Sequence, residues 1–348
     1  MQQSDQFDTV KGDDVEARAG SNEKQHQSDG LDTTDGLDAT ATNNSERQSK
    51  DATEQKDTTP PAPNPLMSPS AFPEGGKDAW LCVLGGCLAF TAGVGFINSF
   101  SVFQAYYRSK TLPGHSDDDI AWIGSIQLWG AFFFGLPAGK MSDKFGPKIP
   151  LAIGTFFIVF GTMMASISKS YYQFILSQGL CSCIGYGLCF TPALSVPSTW
   201  FLKKRGLAIG LVVSGTSVGG VIWPIAINRM LNFDGVSLGW TLRMVGFLQL
   251  ALMVAATFLI KSRLPRNLLK DPPPITKFLT DRTTMIFVSG GIVMFFGLYV
   301  PYFYITPYGI RWGASPGAAF YYPAIMNGVS FFGRFIIGIL ADRKLGFF

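Results

Sequence analysis

An all-α fold that crosses a membrane about eight times is what this sequence predicts, on three observations. Uncharged apolar stretches at 79–107, 120–139, 149–168, 170–202 and 283–310 each reach the ~18–20 residues a helix needs to cross a ~30 Å hydrocarbon core. Basic residues collect in short clusters between such stretches, the pattern of loops that stay on the cytoplasmic side. A charged decapeptide, Gly139-Lys140-Met141-Ser142-Asp143-Lys144-Phe145-Gly146-Pro147-Lys148, returns as Gly338-Ile339-Leu340-Ala341-Asp342-Arg343-Lys344-Leu345-Gly346. Both copies keep the order Gly, three residues, Asp, a basic residue, then Gly, at an offset of 199 residues. That spacing marks one full structural repeat and part of a second.

Residues 1–77 hold 15 acidic and 7 basic residues, a net −8, while the remainder holds 9 and 21, a net +12. This first segment is rich in Ser, Thr, Asp, Gln and Asn and closes in a proline-rich run, so it cannot bury enough apolar surface to offset its ordering entropy. It reads as a disordered cytoplasmic tail. It also lacks the charged-then-apolar pattern of a cleaved signal peptide, so the first spanning helix must direct insertion.

The helices follow in order. The first, about 80–103, carries Gly85, Gly86, Gly93 and Gly95 and then the polar trio Asn98, Ser99 and Ser101. After it, Asp117-Asp118-Asp119 reads as a solvated helix start rather than a cation site. The second helix, about 120–139, runs into the decapeptide. The third spans about 150–167 and the fourth about 172–194, its end bent by Pro192 and Pro197.

Lys203-Lys204-Arg205 then precedes a fifth helix, about 206–228, whose Gly206, Gly210, Gly215, Gly219 and Gly220 allow close helix approach. The sixth spans about 240–260. Six basic residues within 261–282 mark a cytoplasmic connection. The seventh helix, about 285–304, is interrupted by Pro301 and Pro307, and the eighth, about 316–340, has Arg334 in its interior. The domains are therefore the tail (1–77), a six-helix bundle (78–262), a hinge loop (263–282) and two helices of a second bundle (283–348), with the N-terminus in the cytoplasm.

The composition excludes several classes. The basic surplus lies between apolar runs, where it anchors cytoplasmic loops rather than contacting nucleic acid. Cys181 and Cys183, two apart on a helix, point to different faces; His26 and His115 fall in the tail and a loop. The sequence thus implies no metal set and no cofactor. It contains no intramembrane carboxylate pair and no Gly-x-Ser-x-Gly elbow, which argues against an enzyme.

A six-helix bundle, a basic central loop and a repeated Gly-x-x-x-Asp-[Arg/Lys] element after the second helix of each half resemble the major facilitator superfamily. Within it, Trp200-Phe201-Leu202-Lys203-Lys204-Arg205-Gly206-Leu207-Ala208-Ile209-Gly210 resembles the helix 5 entrance of monocarboxylate transporters. With Asn98-Ser99-Phe100-Ser101-Val102-Phe103 and Trp122-Ile123-Gly124-Ser125 it is similar to the fungal branch. The resemblance implies alternating-access transport of a small organic solute, a carboxylate or vitamin-like anion, through a lipid bilayer. The plasma membrane is the default address expected, with the vacuolar membrane second.

The sequence departs from those carriers in three places. Asn98 stands where they have Lys, Ser330 stands one turn before Arg334 where they have Asp, and Glu74-Gly75-Gly76-Lys77-Asp78-Ala79-Trp80 is a reduced form of their acidic-Gly-rich signature. Solutes other than lactate, such as riboflavin, fit better, and uniport stays open. The superfamily has twelve helices against about eight here. The expectation is of a C-terminally truncated carrier, with a transport-inactive or regulatory role as the alternative.

Arg334 is the sharpest substrate candidate, since a guanidinium at membrane depth is costly and usually faces a water-filled cavity. The alternative is an Arg satisfied by helix carbonyls or snorkelling to the headgroups. Asn98, Ser101, Tyr186, Tyr302 and Asn327 are either cavity polar groups or interhelical bridges.

The two decapeptide-like elements (Gly139, Asp143, Lys144, Gly146, Lys148; Gly338, Asp342, Arg343, Gly346) read as gates through the resemblance. In the superfamily, their Asp caps a helix of the other half. Asp342 is therefore expected beside the helix 5 entrance at Arg205 and Gly206, and Asp143 beside local partners such as Lys144 or Lys148.

Overall fold

The computed structural model describes residues 65–266, 276, 280–298 and 300–345. Most of the expected tail and hinge, and Gly346, lie outside the described residues. Eight helices among the described residues are long and apolar enough to cross a membrane. They are α1 (Lys77–Thr111), α2 (Asp117–Phe145), α3 (Lys148–Ile167), α4 (Tyr171–Ser198), α5 (Arg205–Phe233), α6 (Leu238–Leu259), α7 (Arg282–Tyr302) and α8 (Ala318–Arg343).

α2 begins at a capping box. The Asp119 N–H donates to Ser116 Oγ (3.1 Å) and the Ser116 N–H donates to Asp119 Oδ2 (3.0 Å). The three aspartates thus occupy the first turn, where the helix dipole favours negative charge. At its other end α2 continues through Phe145, so Gly139–Phe145 is helical where the sequence suggested a loop. Lys140–Phe145 contains no helix breaker; the stop comes at Gly146, at φ +85°, whose N–H donates to Ser142 O (2.9 Å). Pro301 and Pro307, expected to interrupt the seventh helix, both lie within the helix Val300–Arg311, and Pro192 and Pro197 lie within α4.

α1 breaks at Gly93 (φ −91°, ψ −92°) and again at Asn98–Ser99. A broken helix leaves carbonyls without intrahelical donors, and neighbouring helices supply side chains instead. Trp223 Nε1 of α5 donates to Thr91 O (2.8 Å) and Gln249 Nε2 of α6 donates to Ala92 O (3.0 Å). The α1–α5 crossing is close: a Cβ on Gly95 would lie 2.8 Å from Gly219 Cα. α1 packs on α5 and α6, α3 on α4 and α6, and α2 on α4, around a core that includes Phe100, Phe103, Tyr107, Ile158 and Leu242.

α8 lies against α5. α7 is peripheral, meeting α2 through the Phe295 and Phe132 rings (5.4 Å), and it turns apolar side chains such as Phe287 (82% exposed) outward. For a spanning helix that exposed surface suits lipid.

Ahead of α1, Pro65–Met67 and Pro69–Ala71 form two short 3₁₀ turns. Arg263, just after α6, donates to Ala71 O (2.8 Å) and Leu66 O (3.2 Å) and stands 4.6 Å over the Phe72 ring. The sequence placed this stretch in the tail. A cation over an aromatic ring and two bonds to carbonyls depend on a residue some 190 positions away, which local composition does not report.

Candidate functional site

Helix α5 starts without a cap of its own. Lys204 precedes it and its side chain makes no capping hydrogen bond, so the first amides of α5 need acceptors from elsewhere. Asp342, near the end of α8, supplies them. Gly206 N–H donates to Oδ1 (2.7 Å) and Leu207 N–H donates to Oδ2 (2.8 Å). The carboxylate therefore sits on the positive end of the α5 dipole and satisfies two amides at once.

The approach is possible because the facing residues lack side chains. A Cβ on Gly338 would lie 2.7 Å from Gly206 O, and one on Gly210 would lie 2.9 Å from Arg334 O. Lys203, Lys204 and Arg343 are exposed around this clasp, and Arg205 is half-buried.

Deeper along the same antiparallel seam, Arg334 Nη1 donates to Val213 O (3.0 Å), Ser217 Oγ (2.9 Å) and Thr216 Oγ1. One turn and more toward the opposite end, Asn327 Nδ2 donates to Pro323 O (2.9 Å) and Gly220 O (3.4 Å), while its buried Oδ1 has no partner among the described residues. Asn327, Arg334, Gly338 and Asp342 thus share the face of α8 turned to α5. Arg334 meets neutral acceptors of α5, the arrangement of an interior Arg held by a helix.

The first decapeptide differs. Among the described residues Asp143 makes no hydrogen bond or ion pair; the expected pairing with Lys144 or Lys148 is absent. Lys144 Nζ instead lies 5.2 Å over the Phe145 ring. Lys148, beyond the Gly146 turn, lines a surface cavity of about 560 Å³ with Phe145, Ile149, Lys261, Leu264 and Arg266.

The remaining candidates lie apart. Asn98 and Ser101 are half-buried at and beyond the second break of α1, and Tyr302 is half-buried at the end of α7. Tyr186 is buried, and its hydroxyl accepts from Gln249 Nε2 (3.3 Å). Thr162 Oγ1 donates to Gln249 Oε1 (3.0 Å), so one amide joins α1, α3, α4 and α6.

Tyr107 OH donates to Gln178 Oε1 (2.6 Å), and both amide atoms of buried Gln127 lack a partner among the described residues. Sequence reasoning passed over these glutamines. Their signal was available, since a side-chain amide inside an uncharged span is expensive unless it bridges helices or meets water.

A family model described as the Major Facilitator Superfamily matches residues 82–348. The chain belongs to the major facilitator superfamily. It is 41% identical over 301 residues to an MFS-type transporter of Ophiocordyceps sp. (strain BCC 1869), an alignment covering 84% of this chain and 66% of that one. It is 41% identical to an MFS-type transporter of Aspergillus terreus (79% and 92% covered) and 40% identical to the fujikurins efflux protein of Gibberella fujikuroi (78% and 58% covered).

The chain therefore spans about two thirds or less of the first and third of these relatives. The described residues form an all-helical fold with eight membrane-capable helices, consistent with the major facilitator fold, and the protein is a multi-pass integral membrane protein.

Proposed function

We propose that this chain works as a secondary carrier that exports a small organic anion by alternating access, with the α5–α8 seam as its moving interface. The observation that carries the reading is the clasp. α8 belongs to the second repeat, yet its Asp342 completes the first turn of a helix in the first. Such a contact holds two halves together at one end while a carboxylate sits on two amides, and it releases them when the carboxylate leaves. The efflux named for the Gibberella relative supports the outward direction.

In this reading Arg334 is the anion's partner. With Nη1 occupied by α5, a substrate carboxylate that displaces those neutral acceptors replaces ion–dipole bonds with an ion pair. Displacement loosens α8 from α5 and so couples binding to the gate. The helix 5 entrance supports a monocarboxylate-transporter-like branch, and the basic clusters support a cytoplasmic N-terminus; the plasma membrane is the default address of this reading and the vacuolar membrane the second.

The test is efflux from yeast cells expressing the protein and loaded with aliphatic and aromatic carboxylic acids and their uncharged amides. Export of some acids but not their amides, lost on Arg334→Ala, is the expected outcome. Equal export of acids and amides refutes the anion assignment, and export by Arg334→Ala at the parent rate removes Arg334 from the site.

A further inference from the structure

Asp342 is one of two carboxylates on the α4–α5 connection. Four residues upstream of the clasp, Glu74 Oε1 accepts from the Leu202 N–H and the Lys203 N–H, both at 2.8 Å. Only Lys204 and Arg205 separate the two pairs of amides. Glu74 is the last Glu in the sequence, and among the described residues it is the one non-glycine with a positive φ, at +53°. A left-handed backbone at Glu is disfavoured relative to Gly or Asn. The following Gly75 (+151°) and Gly76 (+97°) complete a sharp turn that aims the side chain at the loop.

The base of that turn is fixed at several points. Arg263 holds Leu66 and Ala71, and Lys261 Nζ pairs with Asp78 Oδ1 (2.8 Å). The Trp80 ring lies 5.1 Å from the Phe201 ring, and Trp200 Nε1 donates to Lys261 O (3.1 Å). Glu74 thus projects from an anchored strap onto the loop that precedes the uncapped start of α5.

We infer that Glu74 is a positioning residue for the clasp: it holds Leu202 and Lys203 so that the Gly206 and Leu207 amides stay oriented for Asp342 when α8 approaches. The inference rests on the gate reading above. Its physical basis is the ordering entropy of a short segment. A loop pinned two residues before an uncapped helix start leaves the first turn few alternatives, so Asp342 of α8 docks onto a preformed pair of N–H donors. With the pin removed, the same docking must also order the loop. Glu74 accordingly favours the clasped state without touching α8.

The experiment is hydrogen exchange on the full chain in lipid nanodiscs, following the amides of 202–203 and 206–207 in overlapping peptides. Glu74→Ala is expected to speed exchange at 202–203 and also, by roughly three- to tenfold, at 206–207, the scale of one ordinary net hydrogen bond passed on through the ordering of the loop. Glu74→Gln keeps an acceptor oxygen and is expected to restore most of the protection. In an Asp342→Ala background, Glu74→Ala should add little at 206–207, because the clasp it serves is gone.

Faster exchange at 202–203 with none at 206–207 overturns the inference and leaves Glu74 as a local brace. So does an undiminished effect of Glu74→Ala in the Asp342→Ala background. If Glu74→Ala unfolds the bundle, seen as faster exchange throughout α1–α6, Glu74→Asp, whose shorter side chain draws the acceptor back from the loop, decides: faster exchange at 206–207 as well as at 202–203 supports coupling, and faster exchange at 202–203 alone overturns it. Failure of the gate reading is separable. In the carboxylic-acid efflux assay it shows as Asp342→Ala exporting at the parent rate, whatever the exchange data report.

Discussion

Replacing Asp342 by Asn isolates the charge of the clasp while keeping its size. The carboxylate accepts one N–H on each oxygen, at 2.7 and 2.8 Å. An asparagine can present its carbonyl oxygen to one amide, but it then turns its NH₂ toward the other, donor against donor. The loss is one charge-assisted hydrogen bond, about 1.5–3 kcal/mol, and a favourable charge at a helix N-terminus, about 0.3–1 kcal/mol.

Asp342 is half-buried, so solvent screens part of this and the lower end applies, about 2 kcal/mol. That shifts the ratio of clasped to open molecules by roughly 30-fold. Ser217, 1% exposed in the seam, is a suitable reporter. In a background without native cysteines, Ser217→Cys should react with a membrane-impermeant maleimide applied from the cytoplasmic side at least about tenfold faster once Asp342→Asn is added. Equal labelling rates with and without that change would mean that the carboxylate does not hold the seam.

Three further outcomes follow from the same geometry. Gly338→Ala places a Cβ 2.7 Å from Gly206 O; the overpacking should lower stability by about 1–3 kcal/mol, read as an earlier thermal transition. Gln249→Leu leaves the Ala92 carbonyl without its side-chain donor and unpairs the Thr162 and Tyr186 hydroxyls from the amide. A loss of about 1–3 kcal/mol for each buried group left unsatisfied is expected, again by thermal unfolding, with no change if these groups find water.

Asp281, just before α7, accepts from the Thr284 hydroxyl (2.7 Å) and N–H (2.8 Å), and these bonds hold its carboxyl below the usual range. Its folded pKa is the lower one, so the contribution of this cap is present above the ordinary carboxylate range and is lost as pH falls through the depressed value. Exchange of the Thr284 amide should accelerate over that acid window relative to the ordinary pH trend, and Asp281→Ala should abolish the step.

The spans were legible because length and absence of charge are local properties: every helix expected from the sequence has a counterpart in α1–α8. Helix ends were less legible. Gly139–Phe145 is charged and reads as loop, yet it has no breaker before Gly146 and simply continues α2 out of the apolar run. The proximity of Asp342 to Gly206 was legible through the repeated motif. That of Glu74 to Leu202 was not, since nothing around residue 74 encodes a partner some 130 positions later. Asp143 shows the converse: its motif is as complete as that of Asp342, but pairing depends on which side chains share a face, and Lys144 points to a phenyl ring.

The two carboxylates on the α4–α5 connection also differ in when they exist. Glu74 is made before the loop it binds, whereas Asp342 emerges 136 residues after Gly206. At ~5–20 residues per second of synthesis, the start of α5 waits roughly 7–27 s for its cap. During that interval the entrance to α5 has a single carboxylate to hold it, so the strap ahead of α1 shapes the helix before the seam it serves has been made.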